Sequence, residues 1–418
     1  MNQAEHRDDA GSMPSEDQRL ILRAALLDGP EAREAGIAWL AKTDIQRLGR
    51  ASVRLLPLLY ERFRREGIQH RVLPVLHGVK KHTWSYNRLL FHRASPAISA
   101  LQAAGIEAMV IKGAALTIEY YQDYSLRPMD DVDLLVRHAD ARVAIDVLRR
   151  QGWKALERWN EQKGFGEQTR RYDHAMHFVH PSGQDLDLHW NLTPFCLGPD
   201  ADSDFWEASK ETTFDGRAVR VLDPADQLLH ICVHGAAWES VAPIRWIPDA
   251  IAVLRKTPQL DWERLLLQAR KRRLTVVVRE ALNYIDRNIG DFVPAHVLSE
   301  FNRADVTVFE RLEYSQLLKP ARVLGHLRRR LWTFLRVSQG KSWRHTALSF
   351  PGYLCTRLRV DRKRQVPAAF CREICLRLGW RRGSVPSGRS RGPVSPDHNI
   401  HTAPVHAFPL EERPRGSQ

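Results

Sequence analysis

Between Glu16 and Ala104 the apolar residues recur at helical spacing: Leu20, Leu22, Ala25 and Leu26, then Leu55, Leu56, Leu58, Leu59 and Phe63, then Trp84, Leu89, Leu90 and Ile98. Asp28-Gly29-Pro30 and Glu66-Gly67 punctuate these runs, so several packed helices are expected. Gly105 ends that texture. Ile106 to Ile111 reads as a buried strand, Ala114 to Tyr121 as a helix, Asp131 to Val136 as a second strand, and His138 to Gln151 as an amphipathic helix stopped by Gly152. Two further strands, Asp173 to His180 and Asp185 to Trp190, flank Pro181-Ser182-Gly183-Gln184, which has the makeup of a hairpin turn. Helical spacing returns after Pro224, most clearly at Gln227 to Ala237, Ile247 to Leu254 and Trp262 to Arg270.

The order of elements predicts an α+β protein, a mixed β-sheet core with flanking α-helical regions. The expected divisions are a disordered N-terminus over 1–15, a helical region over 16–104, the core over 105–224, a helical region over 225–318, a basic helical segment over 319–390 and a disordered tail over 391–418. At 418 residues, 43% hydrophobic and 27% charged, the chain can bury a sizeable core. No stretch approaches the roughly 18 uninterrupted apolar residues that a membrane span needs. The polar, partly acidic start lacks the basic and then apolar pattern of a secretory signal, so a cytoplasmic location is expected.

Charge changes the picture locally. The net charge of +14 suggests nucleic acid, but Lys319 to Arg391 holds 19 Lys or Arg against only Asp361 and Glu373. The basicity therefore belongs to one segment, which can meet RNA, anionic lipid or a phosphorylated acceptor, or simply form a solvated face. The five cysteines are scattered, which suggests neither a disulfide frame nor a zinc ribbon; Cys371 and Cys375, four apart, read as buried thiols on one helix face.

Chemistry concentrates in "VIKGAALTIEYYQDYSLRPMDDVDLLV", residues 110–136. On a strand with ~3.3 Å rise per residue, Asp131 and Asp133 project from one face about 7 Å apart, while Val132, Leu134 and Val136 face the core. Two carboxylates at a strand's beginning can hold a hard cation such as Mg²⁺. Asp187 on the later hairpin supplies a third if its strand lies alongside, and His189 shares its face, where it can either touch a metal or the acceptor or simply pack on Trp190. Lys112-Gly113 ends a strand and opens a helix, which offers N–H groups and positive charge to phosphate. Other residues have plainer readings: His230 and His234 as helix packing, Tyr120 and Tyr121 as core aromatics, Arg245 and Asp249 as a surface ion pair.

Taken together, "IKGAAL", "YY", "RPMDDVDLLV", "GW" and "LDLHW", in this order, resemble the bacterial nucleotidyltransferase family proteins of the DNA polymerase beta-type nucleotidyltransferase superfamily. The resemblance covers roughly Glu16 to Asn302. It implies that Asp131 and Asp133 bind two Mg²⁺ ions, that Asp187 binds the catalytic one near the attacking hydroxyl, and that Gly113 forms the phosphate-approach turn. The superfamily usually carries Gly-Ser or Gly-Gly there, whereas this chain has Gly113-Ala114, so Lys112 and Arg127 are expected to supply charge to the phosphates.

The expected function is Mg²⁺-dependent transfer of a nucleoside monophosphate from an NTP to an acceptor hydroxyl, with pyrophosphate released. A small metabolite, peptide or saccharide is favoured over nucleic acid as acceptor. Two alternatives are a catalytically silent nucleotide- or partner-binding module of the same fold, and an RNA- or anionic-surface-binding scaffold working through the basic segment.

Overall fold

The computed structural model describes residues 14–156, 167–236, 244–317 and 323–377, apart from 339, 341, 359 and 361. The chain is a mixed α+β protein, and the described residues include seven strands: β1 (Met109–Ile111), β2 (Val132–Leu135), β3 (Lys154–Ala155), β4 (Ala175–His180), β5 (Gln184–His189), β6 (Lys210–Phe214) and β7 (Arg217–Val221). They form one sheet in the order β3-β4-β5-β2-β1-β7-β6. β2 is parallel to β5 and antiparallel to β1, and β1 meets β7 in parallel.

Strand alternation sorts the side chains into two cores. Val110, Val132, Leu134, Val136, Phe178, Leu186 and Leu188 pack with the inner half of the long helix Leu73–Ala103 and with the helix Ala141–Arg150. Met109, Ile111 and Leu135 point the other way, into a larger core shared by the N-terminal helices and by the helices that follow Pro224. The second face is the one that carries Asp133 and Asp187. The acidic positions thus lie between the sheet and its helical cover.

Most expected elements are present with shifted ends. The helix after β1 spans Lys112–Leu116 and continues as a wider π turn over Thr117–Tyr121. The hairpin β6–β7 and the short β3 go beyond the sequence reading. Asp215 and Gly216 take φ of 46° and 81°, the left-handed pair that a two-residue hairpin turn needs. Of the expected disorder, 391–418 and 1–13 lie outside the described residues; Ser15 caps the helix Glu16–Leu26 in a capping box with Gln18.

The basic segment forms the helices Val323–Val337, Trp343–Leu358 and Val366–Arg377. Part of its charge is structural. Arg336 is buried, donates to Glu313 from Nε at 2.7 Å, and reaches the carbonyls of Arg272 and Arg273 at 2.8 and 2.9 Å. Arg357 donates to Asp173 at 2.8 Å and to the Tyr172 carbonyl at 2.7 Å, beside a small core of Tyr172, Phe334 and Tyr353. Arg344, Arg362, Lys363 and Arg364 are exposed. The reading of Cys371 and Cys375 as buried thiols needs correction: Cys371 is exposed and Cys375 half-buried, because this last helix turns Ala369 rather than the thiols inward.

Candidate active site

Register decides which carboxylates meet. Parallel pairing of β2 with β5 sets Asp133 beside Asp187 and Leu135 beside His189, while the β4–β5 hairpin sets His177 opposite Asp187. Side chains opposite one another share a face. Asp133, Asp187 and His189 accordingly each offer one ligand atom within 4.8 Å of the others. Asp131 precedes β2, half-buried, outside that group of three.

Asp133 is 4% exposed, and its Oδ1 accepts two hydrogen bonds, from Lys112 Nζ at 2.6 Å and from His189 Nε2 at 3.0 Å. Burial alone would raise the Asp133 carboxyl; the Lys112 ammonium and the His189 contact outweigh it and hold the group well below the ordinary carboxylate range. Burial likewise opposes charge on Lys112, but Asp133 first, then Asp187 and Asp131, raise it above the usual lysine range. Lys112 thus keeps its charge, in contact with Asp133. Its φ is 50°, a left-handed conformation that costs a non-glycine residue on the order of 1–2 kcal/mol.

His177 was missed by the sequence reading. Its Nδ1 lies 2.6 Å from Asp187 and its Nε2 3.3 Å from Asp185, so one ring spans both acids of the hairpin. Counting back from the His180–Gln184 pair that closes the hairpin puts His177 there. Around His189 sit other imidazoles: His174 packs edge-on at 5.3 Å, and the helix Pro224–Ala236 buries His230 nearby. Burial, then the charge of Lys112, pushes His230 down to about 3.

The remaining expected residues divide differently. Gly113 and Ala114 are buried behind Lys112. A Cβ on Gly113 would collide with Arg127 Nη1 and meet Met129 Sδ at 2.7 Å, so the close approach of Arg127 to this turn requires glycine. Arg127 is buried and commits Nε and Nη2 to Asp249, both at 2.8 Å, in a forked ion pair. The expected surface pair of Arg245 with Asp249 is corrected: the helix Trp246–Lys256 turns Asp249 inward, where Arg127 and the Tyr121 hydroxyl at 2.9 Å hold it. Asp130, next to the site in sequence, is turned to Arg50 at 3.3 Å and to Arg54.

A donor set of this kind admits a metal with one reservation. Two carboxylates side by side suit a hard divalent cation. His189 suits the role less well. Its Nδ1 is buried and has no acceptor among the described residues, whereas a ligating histidine ordinarily donates from its second nitrogen. His189 is better described as an Nε2–H donor to Asp133.

The sheet thus unites a strand-borne Asp133, a neighbouring-strand Asp187 and a lysine-glycine turn in one acidic cluster. The chain belongs to the uncharacterised nucleotidyltransferase family, whose model matches residues 43–290. Among solved structures it is similar to an antigenic nucleotidyltransferase-like protein from Paracoccidioides brasiliensis, at 16% identity and a TM-score of 0.31, covering 52% of this chain and 94% of that one. No curated protein matches the chain. Among the described residues, no helix is long and apolar enough to cross a membrane.

Proposed function

We propose that the protein transfers a nucleoside monophosphate from an NTP to an acceptor hydroxyl, releasing pyrophosphate. The observation that carries this reading is the direct pairing of Asp133 with Asp187 on a buried, lysine-neutralised face within a nucleotidyltransferase family member. Asp133 and Asp187, with Asp131 at the mouth, would hold Mg²⁺. Bound there, the cation would neutralise charge developing on the phosphoryl oxygens and on the leaving pyrophosphate.

The chain's own groups do the rest. Asp187 orients the attacking hydroxyl and accepts its proton, and His177 fixes the Asp187 carboxylate in place. Lys112 presents positive charge at the Gly113-Ala114 turn, where the phosphates approach. Arg127 keeps that turn seated through Asp249. A small metabolite, peptide or saccharide is the acceptor class this reading favours; in the basic segment Arg336 and Arg357 are tied into the protein, while Arg344, Arg362, Lys363 and Arg364 stay exposed.

The test is incubation of the full chain with each α-phosphate-labelled NTP and Mg²⁺, with label sought on protein, nucleic acid and small products. Label transfer that Asp133→Asn abolishes supports the reading. Nucleotide binding with no transfer to any acceptor would instead favour a silent binding module.

A further inference from the structure

We infer that this site works with a single divalent cation and that the Lys112 ammonium stands in, as a fixed charge of the chain, for the second ion of a two-ion site. The inference rests on the transferase reading above and deepens it by assigning the ion count.

Three observations carry it. Lys112 Nζ lies 2.6 Å from Asp133 Oδ1, a salt-bridge contact on the carboxylate that a second ion would have to share. The same oxygen also accepts from His189 Nε2 at 3.0 Å, so two protein donors already occupy one side of that carboxylate. The lysine is not a loose surface group that has drifted in. Its backbone is held left-handed at φ 50°, directly after β1, whose Ile111 is the register partner of Asp133.

Charge counting agrees with the geometry. Asp133, Asp187 and Asp131 each favour the charged form of Lys112. One ammonium and one divalent cation balance those three negative charges before the nucleotide arrives. Two divalent cations with the lysine would leave an excess of positive charge in a buried place, and self-repulsion there is costly. An ammonium cannot polarise an oxygen by coordination, but it can donate hydrogen bonds to phosphate and stabilise charge on it. On this division of labour Asp133 and Asp187 would hold the one ion, and Lys112 would supply the remaining positive charge at the Lys112-Gly113 turn.

Equilibrium dialysis of the full chain against Mn²⁺ without nucleotide, with the excess manganese on the protein side counted, tests the inference without relying on turnover. The wild type should retain one ion per chain, Lys112→Arg one, and Lys112→Met two, because removal of the ammonium leaves unbalanced carboxylate. Circular dichroism of each variant checks that the fold persists, and the wild-type count decides the matter even if Lys112→Met does not fold. Two ions on the wild type would overturn the lysine's role while leaving the transferase reading intact. A single ion on a folded Lys112→Met would also overturn it. No ion on the wild type would sink both.

Discussion

Asp133 and Asp187 stand side by side on adjacent parallel strands, and each is gripped from a different side: Asp133 by Lys112 at 2.6 Å, Asp187 by His177 at 2.6 Å. The two carboxylates therefore have separate supports. Asp133→Asn and Asp187→Asn should each abolish nucleotidyl transfer while far-ultraviolet circular dichroism is retained, at a cost on the order of several kcal/mol of transition-state stabilisation. Asp130→Asn should leave the rate nearly unchanged and show itself as a small loss of stability, since its partners are Arg50 and Arg54. Wild-type turnover in either of the first two variants removes that residue from the site.

The hairpin separates positioning from chemistry. His177 touches both Asp185 and Asp187, but only Asp187 lies within ligand distance of Asp133. Asp187→Ala should thus suppress metal-supported transfer far more than Asp185→Ala does. His177→Gln, which keeps one hydrogen-bonding amide, should fall between them in rate and bind nucleotide normally. Steady-state rates with nucleotide affinity measured in parallel give the order; equal losses from Asp185→Ala and Asp187→Ala would shift the working carboxylate.

Arg127 and Asp249 form a buried forked pair, and breaking one half strands the other. Arg127→Met should cost about 3–5 kcal/mol of stability, and the double variant with Asp249→Leu should recover much of it. Gly113→Ala should act on the same arginine, because its methyl would collide with Nη1 and with Met129, for a loss of about 1–3 kcal/mol. Urea denaturation measures all three. Titration of Arg127→Met with a non-hydrolysable NTP and the matching NMP adds a second readout: a purely structural arginine weakens both alike, whereas a phosphate contact weakens the triphosphate selectively.

His230 makes stability depend on pH in a known direction. It is 2% exposed, and burial with the nearby Lys112 charge pushes its pKa down to about 3, against an ordinary value near 6.5. Between those values the unfolded chain carries a proton that the folded chain lacks. Stability therefore falls as pH drops through that window, by about 1.4 kcal/mol per unit. Relative to wild type, His230→Leu should gain about 2 kcal/mol between pH 7 and pH 5, read from urea midpoints at both values. Asp202 and Asp226, pushed up to about 6 mainly by burial, act in the opposite sense but do so in both proteins. A pH-independent difference would mean that water reaches His230.

The strand pair that carries Asp133 and Asp187 was legible because its alternation is written locally, with valine and leucine facing one way and carboxylates the other. The β4–β5 turn was legible for the same reason. What escaped was set by distance. Nothing near Asp249 in sequence says that it belongs to Arg127 rather than to Arg245, one helical turn away; only the packing of the helix Trp246–Lys256 decides it. The β6–β7 hairpin did carry a signal, Asp215-Gly216 between short β-forming runs, and it went unread because those runs are half polar. Lys112 sits where sequence order put it, at the end of β1 and the start of the next helix, yet its partner Asp133 emerges only from the antiparallel register of β1 with β2.

Ile21, Leu59 and Phe63 from the N-terminal helices share one continuous core with Ile111 and Leu135 on the acidic face, and with Leu228, Ile247, Leu282 and Phe301 from the later helices. The apolar surround of Asp133 is consequently owned jointly by three stretches of chain. Heat cannot strip away one helical cap and leave the carboxylates in register, because loosening any of the three stretches releases packing under the other two. The site should persist at full strength up to the melting point of the whole unit and vanish with it, and its stability can be tuned from residues that never approach a nucleotide.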